Sequence, residues 1–325
     1  MERRRFLGAV AALAGSTTTT FTHAQQAMYP VKPIQFVVPY SPGGATDNTA
    51  RLIAKFLAPI LKQPLVIDNR AGANGRVGAE YVKRAEPDGY TLLMGGIGPL
   101  AIAPHLEKVS YDPFKDFTPI SCLVTWDTVL VVNPSVPAAN VPELIAHLRR
   151  NGTKMNYGSS GQGGPYHVAA ELFKALAKVE MMHVPYKGDG AAIVDLISGN
   201  TQVMFTSASA ILPHIKTGRV RLLASGGTRR STLFPDVPTI SEQALPDFAA
   251  EAWGGVFGPA GMSKEVVGRL YAAIQKAFTD QALRDGINAQ GSQWIASSPN
   301  DFSLFLREEY LKWGRVIDEQ DLKST

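Results

Sequence analysis

From residue 34 onward, short and largely apolar runs alternate with longer stretches of helical periodicity. Ile34 to Val38 is apolar except for Gln35 and rich in β-branched residues, which predicts a buried strand rather than a half-exposed alternating one. Pro39 ends it by removing a ladder donor. Tyr40-Ser41-Pro42-Gly43-Gly44 follow, and Thr46 or Asp47 then offers an N-cap for a helix with Leu52, Ile53, Phe56, Leu57 and Ile60 on one face. Such a strand, Gly-Gly loop and helix start aim backbone N–H groups and the positive end of a helix dipole into the loop. An anion is the natural guest there. A tight turn before a capped helix, with no ligand, accounts for the same residues.

The rhythm then repeats. Leu65-Val66-Ile67 predicts a second strand, Arg76 to Ala85 a helix, and Tyr90 to Met94 a third strand running into Gly95, Gly96 and Gly98. Strand, helix, strand, helix, strand over about 60 residues is the βαβ pattern of a parallel sheet. Ligands gather at the carboxyl ends of strands in such sheets, which puts the loops at 40–46 and 95–98 together. Thr118 to Val132 is long and mostly apolar, more than one strand needs, and predicts a strand leaving one domain for another. Val141-Pro142-Glu143-Leu144 opens a helix and Met155-Asn156-Tyr157 restarts the strands. Strands are expected again at Met181–Val184, Gln202–Phe205 and Val220–Ala224. Their ends carry Tyr186-Lys187-Gly188, Thr206-Ser207 and Gly226-Gly227. Ala252 to Phe257 predicts a strand returning to the first domain. The remainder is expected to be helical, with Val266, Leu270, Ile274 and Phe278 on one face and Phe302, Phe305, Leu306, Trp313, Val316 and Ile317 on another.

A second cradle is expected at Tyr157-Gly158-Ser159-Ser160-Gly161-Gln162-Gly163-Gly164-Pro165-Tyr166-His167, where a strand runs through a glycine-serine loop into a helix. Ser159, Ser160 and His167 also raise an exported serine hydrolase acting on small esters or amides as the alternative function. The Gly-x-Ser-x-Gly elbow is missing, however, and the glycines fit neither a dinucleotide fingerprint nor a P-loop. The six histidines show no ligand pair at helical spacing and there is one cysteine, so no metal or other cofactor is expected.

Composition adds compartment and partners. Residues 1–24 read as an export signal: Arg3-Arg4-Arg5-Phe6-Leu7, a short apolar run to Ala14, and Thr22-His23-Ala24 as cleavage site. Arg-Arg-x-Phe-Leu resembles a twin-arginine signal, with an ordinary secretory signal as the alternative, and both lead to the periplasm. The lone Cys122 excludes a lipid anchor at the signal and an intrachain disulfide. Losing three arginines and one glutamate with the signal takes the formal charge from +4 to +2, without a basic patch, which argues against nucleic acid. No apolar stretch is long enough to span a bilayer.

Several motifs carry a resemblance. Pro39 to Asp47 with Ala50-Arg51, Asp68 to Gly72, Pro87 to Leu93, Tyr157 to Gly161 with His167, His183 to Gly188, Pro213-His214-Ile215 and Pro235 to Thr239 occur in order along nearly the whole chain. They resemble the Bug-type periplasmic solute-binding proteins, the receptors of tripartite tricarboxylate transporters. The resemblance implies an α/β protein of two doubly wound lobes joined by two crossing strands, like a type II periplasmic binding protein. It implies residues 25–126 plus 249–325 as one discontinuous lobe and 127–248 as the other. The lobes would close on a small organic acid, held by backbone amides and ordered water at 40–47 and 158–164. A membrane permease would be the partner, the receptor being a monomer and not an enzyme. Ligand contacts are expected from Tyr40, Ser41, Pro42, Gly43, Gly44, Thr46, Asp47 and Gly96 in the first lobe. In the second they are expected from Ser159, Ser160, Gly161, Gly164, His167, Tyr186, Lys187, Gly188, Thr206 and Ser207. Asp47 caps the first helix in one reading and selects a cationic ligand group in the other. Tyr40-Ser41 and the bulky Tyr166 beside His167 depart from the family pattern.

Overall fold

A computed structural model describes residues 29–186 and 188–323. Residues 1–24, read as an export signal, and Lys187 therefore lie outside the described residues.

Eleven described strands form two sheets. The first contains β1 (Ile34–Val38), β2 (Leu65–Asn69), β3 (Thr91–Gly96), β4 (Phe117–Trp126), β10 (Ala252–Pro259) and β11 (Ser292–Trp294), in the order β11-β4-β10-β3-β1-β2. The second contains β5 (Thr128–Val132), β6 (Asn156–Ser159), β7 (Met182–Pro185), β8 (Val203–Ser207) and β9 (Arg221–Ser225), in the order β7-β6-β8-β5-β9. β1 pairs in parallel with both β2 and β3, and β6 with β7 and β8. These are the apolar runs that precede the helices. With β1 between two neighbours, Ile34, Phe36, Val37 and Val38 are all fully buried, as a strand covered on both faces requires.

The long apolar segment at 118–132 is two strands rather than one. β4 and β5 belong to different sheets, and only Asp127 separates them. Its backbone N–H donates to Gly291 O at 3.0 Å, and its carbonyl accepts from Ala208 N at 2.8 Å. The return crossing reaches the second sheet's side at Ala250, whose N–H donates to Gly226 O, and enters the first sheet as β10 at Ala252. β10 then lies antiparallel between β3 and β4.

Three local expectations are corrected. The chain after residue 260 is not all helical, because β11 adds an edge strand to β4; three residues are too few to show an alternating pattern. Gly95 and Gly96 belong to β3, opposite Gly255 and Gly254, instead of a loop. A Cβ on Gly96 would stand 2.7 Å from Trp253 O, so the absent side chain permits this pairing. The first helix is Ala45–Leu61 with Gly44 as N-cap, and neither Thr46 nor Asp47 caps it.

The C-terminal helices cover the first sheet. Lys264–Ala277 and Gln281–Ala289 pack on Ala45–Leu61, while Pro299–Glu319 lies against Gly98–Ile102, β4 and Pro165–Ala177. Phe302, Trp313 and Ile317 are among its buried positions, and Phe302 meets Trp253 edge to face at 5.8 Å.

Candidate ligand-binding cleft

A cavity of about 510 Å³ opens between the two sheets. One wall is Tyr40 to Pro42, Gly44 to Thr46 and Asn74, with Met94 to Ile97, Trp126, Ala252 and Trp253 as floor. The opposite wall is Ser160, Gly164 to Tyr166, Gly188 and Asp189. Ser41 to Ala45 are exposed, so the first wall is open to solvent.

Three described helices of ten or more residues begin at this cleft: Ala45–Leu61 behind Gly44, Pro165–Ala177 behind Gly164, and Asp189–Ser198 behind Gly188. Each has a glycine N-cap and no side-chain cap bond. Most helices elsewhere are capped by side chains: Asn140 accepts from Glu143 N, Thr239 from Glu242 N, Ser263 from Val266 N and Ser298 from Asp301 N, whereas Arg76–Lys83, behind Gly75, and Ala103–Leu106 are not. First-turn N–H groups need an acceptor. Where a side chain does not supply one and the helix dipole points into a cleft, an anionic ligand can.

The residues nominated from the sequence divide. Tyr40, Ser41, Pro42, Gly44, Thr46, Gly96, Ser160, Gly164 and Gly188 line the cavity. Gly43, Asp47, Ser159, Gly161, His167, Tyr186, Thr206 and Ser207 stand behind the lining, and several brace it. Gly43, at φ +84°, makes the turn and donates its N–H to Asp47 at 2.9 Å. Asp47 is buried and fully engaged: one oxygen accepts from Gly43 N and Arg51 Nε, the other from Asn69 Nδ2, all at 2.9 Å. Burial alone would raise its carboxyl, but Arg51, the Gly43 amide and Asn69 outweigh that and hold it below the usual range. It braces the loop from the side away from the cavity.

Behind the second wall, Ser159 Oγ is 2.7 Å from His183 Nε2 and accepts from Gly161 N at 3.3 Å. His167 Nδ1 accepts from Gly163 N at 3.1 Å, and its ring stacks on His183 at 4.0 Å. Tyr157 also stacks with His183, at 4.8 Å, and donates its hydroxyl to Glu171. Burial pushes both imidazoles down to about 4, so each is neutral at physiological pH. Ser159 and His183 have the separation of a nucleophile and its base, but Ser159 is fully buried and its oxygen holds the loop. Tyr186 donates to Asp195 Oδ2 at 2.6 Å, Ser207 caps Ala210 N, and Thr206 is wholly buried in β8.

Sequence reasoning did not single out Ala45, Asn74, Met94, Gly95, Ile97, Trp126, Pro165, Tyr166, Asp189, Ala252 or Trp253 as lining. The last residue of β4 and the start of β10 bring the two tryptophans to the floor, and no local pattern announces that. Trp126 Nε1 donates to Thr49 Oγ1 at 3.3 Å and Trp253 Nε1 to Glu309 Oε2 at 3.0 Å, which fixes both rings from behind. Among the described residues the lining holds no cation, and Asp189 is its one charged side chain.

The family model described as the tripartite tricarboxylate transporter family receptor matches residues 49–322. Protein BugT of Bordetella pertussis is 34% identical over 297 residues, covering 91% of each chain. Among solved structures, Rpa4515 of R. palustris with adipate is 32% identical with a TM-score of 0.79, over 90% of this chain and 98% of that one. MatC from Rhodopseudomonas palustris with bound malate is 31% identical with a TM-score of 0.76, over 89% and 100%. The two-lobed α/β fold, the cleft between its sheets and these matches agree: the chain belongs to the tripartite tricarboxylate transporter receptor family, whose members are periplasmic solute-binding receptors and not enzymes.

Proposed function

We propose that this receptor captures one small carboxylate between a lobe of residues 25–126 plus 249–325 and a lobe of residues 127–248, and delivers it as a monomer to a membrane permease. The observation that carries the reading is the convergence of three glycine-capped helix starts, two from one wall and one from the other, on a single cavity. Amides of Gly44, Ala45 and Thr46 hold the acid group from one side, with Ser160, Gly164 and Gly188 facing it. Met94, Ile97, Trp126 and Trp253 cover the carbon skeleton. The relatives with adipate and malate support the ligand class. Among the described residues no helix is long and apolar enough to cross a membrane. Export through residues 1–24, with cleavage near Ala24, completes the reading.

Closure of two lobes on a ligand stabilises the bound form by mass action. A thermal-shift panel of di- and tricarboxylates, amino acids and aromatic acids on the mature protein tests the proposal, with one acid expected to raise the melting temperature without being consumed. Turnover of an ester or amide, abolished by Ser160→Ala, would overturn it. Deleting the gene should abolish high-affinity uptake of the same acid.

A further inference from the structure

Asp189 is an unexpected residue in a cleft built for anions. It opens the helix Asp189–Ser198, lines the cavity beside Ser160 and Gly188, and keeps Oδ1 buried without a hydrogen-bond partner among the described residues. The acid that the sequence offered as a selector, Asp47, has every oxygen occupied. Resting on the carboxylate-receptor reading, we propose that Asp189 selects the ligand: the bound acid carries, besides its carboxylate, an ammonium group that pairs with Asp189.

Charge balance carries the argument. Lobe closure around a simple diacid would enclose two like-charged carboxylates near each other with little water, which is unfavourable. Leaving Oδ1 unpaired in the closed cleft carries the penalty of a buried acceptor without a donor. An ammonium group removes both costs and supplies a charge-assisted hydrogen bond. Burial pushes the Asp189 carboxyl up, with the Ser160 hydroxyl opposing. Its place on the first turn of a helix without a side-chain cap favours the charged form as well. Trp126 and Trp253 complement such a ligand, since indole faces accept both an apolar skeleton and a neighbouring cation.

The test compares acids that differ only by an amino group: 3-phenylpropanoate against phenylalanine, glutarate against glutamate, and hexanoate against 6-aminohexanoate. Each is titrated calorimetrically into mature wild-type protein and Asp189→Asn. In at least one pair the amino member should bind about tenfold tighter or better. Asp189→Asn should bring that pair to within about twofold, leaving the plain acid bound as well as before or better. Asp189→Ser serves as the second variant if the amide impairs folding, with circular dichroism melts as the control. Plain acids bound as tightly as their amino partners in every pair, or a preference that survives both substitutions, would overturn the inference and leave the carboxylate reading standing. A diacid that binds more tightly as the pH falls, and loses this in Asp189→Asn, would also overturn it, because Asp189 would then act as a protonated donor. No binding of any carboxylate would overturn the receptor's ligand class and this inference with it.

Discussion

Asp47→Asn is the sharpest test of how the first cradle is built. Aspartate accepts three hydrogen bonds there, from Gly43 N, Arg51 Nε and Asn69 Nδ2. Asparagine has one acceptor oxygen, so its amide nitrogen must face one of these donors. Asn69 cannot turn over to compensate without cost, because its own oxygen accepts from Arg51 at 3.1 Å and its amide also donates to Tyr40 O at 3.1 Å. Arg51 is half exposed and regains water, so its share is that of a surface pair, at most about 1 kcal/mol. A lost bond to a charged group on the buried side is worth about 1.5–3 kcal/mol. The expected loss is then about 2–4 kcal/mol. With roughly 2 cal/mol/K of unfolding entropy per residue, 1 kcal/mol moves a cooperative unit of this size by about 1.5 °C, so calorimetry should read a drop of about 3–6 °C. The pH dependence supplies a second signature. The folded carboxyl lies below its unfolded value, so its stabilisation is present above about pH 4 and is lost as pH falls through the folded value. The gap between wild type and variant should close in acid. Affinity should fall for all ligands alike, since the loop and not a ligand contact is disturbed. An unchanged melting temperature, or a loss confined to amino-bearing ligands, would refute this.

Three further outcomes are expected. Gly43→Ala forces a side chain onto a φ of +84° and should cost about 1–2 kcal/mol and loosen the cradle, whereas Gly44→Ala, at φ −75°, should leave stability nearly unchanged while its methyl narrows the cleft; melting curves and calorimetric affinities separate the two. Asp127→Ala removes the acceptor of Ser231 Oγ, Thr232 N, Thr232 Oγ1 and Gln293 Nε2 and should lower stability by about 2–5 kcal/mol in chemical denaturation. Since the folded His167 and His183 lie near 4, below their usual value, their contribution to stability is full above about pH 6.5 and is lost as pH falls toward 4; His167→Gln should flatten the melting profile over that window.

The strand and helix rhythm was legible because it is written locally. β1 begins and ends where the apolar run from Ile34 to Val38 does, and helices start beside their glycines, prolines and cap residues. The glycine-rich loops before the helices at Ala45 and Pro165 were legible for the same reason. Local chemistry could not say which of two adjacent glycines takes the left-handed turn, nor that Gly44 rather than Thr46 or Asp47 precedes the helix. A three-residue strand at 292–294 has too short a period to read, and its existence depends on the free edge of β4. The break at Asp127 was also hidden, because strands of both sheets are equally apolar on either side of it.

The sequence by itself therefore determined the βαβ order, the glycine-rich strand ends and the absence of an elbow or metal pattern. These depend on neighbours a few residues apart. Tertiary structure alone decided which side chains line the cleft. It turned Asp47 inward to hold a loop and left Asp189 in the cleft, joined Ser159 to His183 across neighbouring strands, and brought Trp126 and Trp253 from the two crossings to one floor. The physical reason is that a side chain's face and partner depend on which strands lie side by side, and strand order is a long-range choice made by packing.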